Sequence, residues 1–230
     1  EATNSHLTIR AINRSSGSAH AAINFIQLGD RLSAISFQTR NVSGILENFR
    51  LDSNSRISLS NNDSGTSNTI FGKSAGASLD AGSNYNVFIG ENVSDASMND
   101  ATYNTAVGYN AMSELTEGDN NTGAGHKALH NLTTGSGNTA VGDNALNSTA
   151  TVDGNTGVGY YAGLYTTGAN NTYLGYNAGK GASGAEALNV GVGKDALLAI
   201  TTGIGNTVVG GLAGDALTTG GDNVVLGYNA

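Results

Sequence analysis

Three residue types are missing from this 230-residue chain: cysteine, proline and tryptophan. Without cysteine there is no disulfide framework and no thiolate metal site. A secreted chain of this size then draws its burial from repeats or from oligomerisation. Without proline, the 34 glycines cannot belong to a collagen helix, which needs both in a strict period of three. Charge is also scarce, at 12% against about 25% in ordinary domains. With 38% apolar residues, however, the chain is too hydrophobic for a disordered polymer. No run approaches the ~18 apolar residues of a membrane span. The first residues, Glu1-Ala2-Thr3-Asn4, do not form a signal peptide, so the chain is expected to be a mature or excised piece of something longer.

Arginine is missing from most of the chain. All six arginines lie between Arg10 and Arg56, and with four acids they give residues 1–60 a charge of +2. The remainder carries four lysines against fourteen acids, or −10. An acidic surface repels phosphate backbones, so nucleic acid is not an expected partner. Glycine changes at the same place. Only Gly17, Gly29 and Gly44 fall in residues 1–60, and the other 31 come later. The expected division is therefore a small β domain over 1–60, a polar linker over 61–67 and a repeat region over 68–230.

The repeat region is a near-periodic array. A unit of Asn, Thr or Val, a small or apolar residue, an apolar residue, Gly, two variable residues and usually Ala begins ten times. The starts are Asn68, Asn86, Asn104, Asn121, Asn138, Asn155, Asn171, Asn189, Asn206 and Asn223, spaced 16 to 18 residues apart. Such a period signals a solenoid, and it is too short for helical or leucine-rich repeats. Seventeen residues suit one coil of two short strands and two turns. The expected fold is all-β: the small β domain followed by a parallel β-solenoid of about ten coils, each rising about 4.8 Å.

Within each strand, residues two apart share a face. The second and fourth positions, as in Thr105 and Val107, are expected to point into the coil, placing Val107, Val141, Val158, Val192 and Val209 in one buried row. Leu115, Leu132, Ile200 and Leu217, eleven residues after the Asn, would form the opposing row. The third position is never charged. A strand apolar on both faces is buried on both, so Ala106, Ala140, Tyr173, Val208 and Val225 are expected at the interface of a homotrimer. The fifth-position Gly suits a corner needing positive φ or close backbone approach. The first-position Asn, tolerant of left-handed backbone, is expected to stack into an amide ladder. In residues 1–60, strands are expected at 7–12, 21–27, 32–39, 47–51 and 56–59, with a hairpin connection over 26–32.

Units such as Asn104–Ala111 (NTAVGYNA) and Asn138–Ala145 (NTAVGDNA) resemble the repeats of phage tail fibres and the head repeats of trimeric autotransporter adhesins. The segment Ile35–Asn41, followed by Asn48–Ser53, resembles the β module that precedes such repeats in tail fibres. The resemblance implies a homotrimer, a left-handed parallel β-roll, a virion or cell-surface location, and attachment to a cell-surface glycan or protein as the task. The 17-residue period departs from the adhesin period.

Residues that could carry chemistry are few. His126 and His130 are four apart, but in a corner and turn without a third ligand. The turn acids Asp119, Asp153 and Asp222 are the candidates for sporadic calcium, though most copies lack one. No nucleophile–base signature or phosphate-binding loop is present. No cofactor and no catalysis are therefore expected. Tyr109, Tyr160, Tyr161, Tyr176 and Tyr228, after the corner Gly, are the candidates for receptor contact. Two alternatives of another class are a glycan-depolymerising tailspike and an ice-binding solenoid, the latter on the turn threonine pairs such as Thr133-Thr134.

Overall fold

The computed structural model describes residues 67–181 and 184–230 in full, together with the backbone of five strands before them: β1 (Thr8–Ile12), β2 (His20–Leu28), β3 (Arg31–Asn41), β4 (Gly44–Leu51) and β5 (Ser55–Ser58). The linker stretch 61–66 lies outside the described residues. The chain divides into two units, Glu1–Ile57 and Ser58–Ala230. In the first, β1 to β4 form an antiparallel sheet in chain order, and Leu28 pairs with Arg31 across the hairpin connection.

The second unit is a parallel β-solenoid, and the described residues contain no helix. Ten strands follow in sequence: β6 (Thr69–Lys73), β7 (Val87–Ile89), β8 (Thr105–Val107), β9 (Thr122–Ala124), β10 (Thr139–Val141), β11 (Thr156–Val158), β12 (Thr172–Leu174), β13 (Val190–Val192), β14 (Thr207–Val209) and β15 (Val224–Leu226). Each pairs in parallel with the next so that equivalent repeat positions align, as Thr139 does with Thr156 and Val141 with Val158. The expected second strand per coil is absent among the described residues. That wall is a series of turns, yet its backbone still bonds from coil to coil, as in Met112 N–H to Ala128 O at 3.1 Å and Thr116 N–H to Thr133 O at 2.9 Å.

The amide ladder runs the length of the rod. The Oδ1 of each Asn accepts the backbone N–H of the next, from Asn68–Asn86 at 2.8 Å to Asn206–Asn223 at 3.1 Å. Its Nδ2 donates to the carbonyl three residues before the next Asn, as Asn138 does to Val152 at 2.9 Å. In most copies Nδ2 also reaches back to the previous Oδ1, at 3.1 Å between Asn138 and Asn121. A buried amide with both ends bonded is what a dry core demands. The left-handed backbone expected at these asparagines falls one residue earlier, at Tyr85, Tyr103, Asn120, Asn170 and their equivalents. It recurs at the seventh position, where Asn92, Asn110, Asn144, Asn177 and Asn229 supply the residue type that tolerates it.

The corner Gly row needs both properties expected of it. At Gly142 φ is +132°, and a Cβ there would lie 2.5 Å from the carbonyl oxygen of Gly159 in the next coil.

The strand faces are the reverse of the sequence expectation. Ala106, Ala140, Tyr173 and Val208 are fully buried inside the coil, with Val225 partly buried in the last one. Val107 and Val141 face outward at 37% and 41% exposure, while Val158, Val192 and Val209 are intermediate. The third position is therefore the core and the fourth the outer wall. The physical reason is volume. A ninth-position residue also points inward, and in all but the coil opening at Asn155, where both are glycine, the two positions compensate. Phe88 is followed by Ser94, Ala106 by Met112, Gly123 by Leu129, Ala140 by Leu146, Tyr173 by Gly179, Gly191 by Leu197 and Val208 by Gly214. A Cβ on Gly179 would sit 2.1 Å from the Tyr173 ring, and one on Gly123 would sit 3.1 Å from Met112. Leu115, Leu132 and Ile200 close the opposite side, fully buried as expected, and Leu217 packs partly buried near the end of the rod.

Two outcomes are expected from this packing. Asn138→Ala orphans the Asn155 N–H and the Val152 carbonyl. It should cost roughly 1–3 kcal/mol for each group in denaturant unfolding, whereas Asn144→Ala, outside the ladder, should cost much less. Val208→Ala and Gly214→Leu should each destabilise, by cavity and by overpacking, at about 1–3 kcal/mol. The double variant reproduces the Ala140–Leu146 pairing and should recover at least ~1 kcal/mol relative to their sum.

Candidate binding face

The outward side of the parallel sheet is a ruled surface of second- and fourth-position residues. Phe71, Ile89, Val107, Val141, Leu174 and Leu226 are exposed along the fourth row, with Phe71 at 51%. Beside them runs a row of threonines, among them Thr105, Thr122, Thr139 and Thr156, half-buried at the second position. Each residue meets its own equivalent one coil away, because the strands are in register. The row thus makes a continuous apolar strip rather than scattered exposed side chains, which is the pattern that marks an interaction surface.

The sixth position forms a flank. Lys73 and Glu91 pair at 3.0 Å, exposed. Tyr109 stacks on His126 at 5.8 Å, and His126 Nδ1 lies 3.1 Å from Asp143. Tyr160 stacks on Tyr176 at 5.2 Å, with the Tyr161 ring of the seventh position against it at 4.0 Å. Hydrogen bonding to Tyr161, then desolvation, pushes the Tyr160 phenol up to about 12. Lys194 lies over Tyr176 at 6.0 Å, and Lys180 over Tyr161 at 5.2 Å. Four of the candidate tyrosines therefore fall in this row (Tyr109, Tyr160, Tyr176 and Tyr228), and Tyr161 adjoins it. The structure brings Tyr160, Tyr161 and Tyr176 together and leaves Tyr109 and Tyr228 apart from them. Their stacking is coil-to-coil, the role of a corner ladder. On the opposite flank Tyr85 and Tyr103 stack at 5.0 Å, a pair that sequence reading passes over; both immediately precede a repeat Asn.

The remaining candidates are separate. His130 Nδ1 contacts Ser113 Oγ at 2.6 Å, away from the His126–Asp143 pair. Asp119 accepts from the Thr102 N–H at 2.6 Å and Asp153 from the Ser136 N–H at 2.7 Å, so both tie neighbouring turns together. Among the described residues no group of three His, Cys, Asp or Glu side chains could hold a metal ion. The turn threonines are also engaged: Thr133 Oγ1 donates to Ala150 O and Thr201 Oγ1 to Thr218 O, each at 3.0 Å.

Comparison with protein-family models, with curated proteins and with solved structures returns no match. The strands from Thr69 to Leu226 form a parallel β-solenoid whose outer strand face carries an apolar row.

The inversion of faces has a direct check. Ala140→Asp places a charge in the dry coil interior and should abolish folding of the surrounding coils, a loss above about 4 kcal/mol. Val141→Asp, one residue on, should leave the β circular dichroism spectrum intact. Equal loss for both variants would contradict the assignment.

Proposed function

We propose that this chain is a non-enzymatic fibre shaft, which joins copies of itself through the fourth-position row and serves attachment at a virion or cell surface. The observation that carries the reading is the apolar strip from Phe71 to Leu226, which runs the length of the rod on the side away from the coil's own core. The argument that a strand apolar on both faces is buried on both remains in force with the faces exchanged. The core is the third position and the partner face is the fourth. Rotational symmetry lets identical strips meet, and three copies around an axis suit an elongated rod. The resemblance of the repeat units to phage tail fibres, with bacterial trimeric adhesins as the alternative, supports attachment as the task. The sixth-position tyrosines stay outside the joined strip, where a glycan or protein receptor would meet them.

A second reading rests on the threonine row. Thr105, Thr122, Thr139 and Thr156 stand in register beside the fourth-position methyl groups. A flat, regular array of hydroxyls and methyls is the surface that suits a crystalline ligand such as ice, and thermal hysteresis at micromolar protein would reveal it.

Sedimentation equilibrium tests the shaft. The chain is expected to sediment as a trimer. A Val107→Asp, Val141→Asp, Val158→Asp triple variant should sediment as a folded monomer, because like charges would meet across the strip. A monomeric parent chain would overturn the reading, and so would an unchanged trimer in the triple variant.

A further inference from the structure

The apolar interior of the rod is interrupted. One cluster of buried apolar side chains runs from Ile70 to Leu146, and a second begins at Ala162. The coil between them, opening at Asn155, has glycine at both inward positions, Gly157 and Gly163. The residue eleven after the repeat Asn, Leu or Ile in five other coils, is Thr149 in the coil before and Thr166 in this one, both buried. Leu146 and Tyr173 fill the space beside those glycines, and Glu186, 2% exposed, lies next to Thr166 and the fully buried Tyr173.

Glu186 is out of pattern. Its position, three before the repeat Asn, is Ser83, Ala101, Gly118, Gly135, Val152, Gly168, Gly203 or Gly220 in the other coils. Its backbone carbonyl performs the usual task, accepting from Asn171 Nδ2 at 3.1 Å. Its side chain does something new. Glu186 Oε2, Thr166 Oγ1 and Tyr173 Oη are all buried, and none closes a hydrogen bond of normal geometry. Three polar oxygens gathered in a largely apolar interior are costly, and an ionised carboxylate would be costlier still.

We propose that the coils opening at Asn155 and Asn171 form a proton-sensitive joint in the rod, closed while the buried Glu186 carboxyl is protonated and loosened when it ionises. The protonated carboxyl brings no charge into this interior and adds its own donor to the hydroxyls of Thr166 and Tyr173. The groups around it carry no compensating charge. The coil below offers Thr166 and the backbone of Thr167 and Gly168, and the strand of its own coil offers the Tyr173 phenol. Its counterpart in the coil above is Gly203. Burial pushes the Glu186 carboxyl up to about 7, against the pull of the nearby backbone and the Thr166 hydroxyl. Burial first, and the Glu186 carboxyl second, push the Tyr173 phenol up as well, so it stays neutral throughout.

The sign follows from the raised value. The closed coil holds a proton that the opened coil releases above the ordinary carboxyl range, so closure is strongest below about pH 4.5 and weakens as pH rises to about 7. A repeat rod opens locally because each coil is held only by its neighbours.

Hydrogen exchange on the full chain tests this, with protection factors corrected for chemical exchange at each pH. The amides of Gly163, Tyr165 and Gly179, bonded to Ala178, Lys180 and Ala196, should lose protection by up to roughly tenfold per pH unit across that window. Those of Met112 and Leu129 in the first cluster should not change. Glu186→Gln should flatten the profile of the joint. Persistence of the slope in Glu186→Gln, a flat profile in the parent chain, or a uniform loss along the rod would each overturn the proposal. Should Glu186→Gln not fold, infrared spectroscopy of the parent chain decides. A protonated carboxyl band near pH 6 that vanishes above about pH 7 sustains the joint, and absence of the band at pH 6 overturns it.

Discussion

The solenoid depends on one interaction, the bond from each repeat asparagine to the next. A side chain at that place must accept the backbone N–H of the next Asn and donate to the turn that precedes it, as Asn138 does with Asn155 and Val152. Only a carboxamide offers an acceptor and donors at that reach. Once it is fixed, the register of every other position follows. Strands align residue for residue, corner glycines stack on one another's carbonyls, and inward side chains meet one coil apart. Spacings of 16 and 18 residues are absorbed between the asparagines rather than at them, which is why the ladder survives them.

Such a coil is thin. Its interior holds one residue from the strand and two from the turns that follow, and in most coils the first two trade volume with each other. The outer strand face is left apolar as well, and a regular stack repeats that surface at every step. A globular domain would scatter a few exposed valines; here they form a line. That geometric consequence of repetition ties the fold to the proposed shaft, with the exposed apolar row one residue away from the core.

Much of this was legible in the sequence. The ten asparagines and the corner glycines recur on the period and form the ladder and the corners expected of them; Leu115, Leu132 and Ile200, eleven residues after an Asn, are buried opposite the strand. The inward and outward faces were not legible from alternation, because Ala-Val, Gly-Val and Tyr-Leu pairs are apolar on both sides. The deciding signal lay six residues further on, in the compensation of Phe88 with Ser94 or Ala140 with Leu146, which strand periodicity does not sample. The far wall reads as a second strand in the sequence for a related reason. Its hydrogen bonds run between coils as in a sheet, but its residues at positions seven and nine adopt left-handed backbone, as in Asn144 and Leu146, so no strand forms. Glu186 carries no signal in the sequence, since one acid in a turn reads as surface until its burial beside Thr166 and Tyr173 is seen.

Because the chain has no cysteine of its own, single cysteines report cleanly on the orientation of the strand and on the joining of copies. The most direct test of the account compares Ala140→Cys with Val141→Cys under mild oxidation of the native protein. The account predicts that Val141→Cys forms covalent dimers between copies while Ala140→Cys remains a reduced monomer on a denaturing gel. Cross-linking through position 140, with none through position 141, would contradict it.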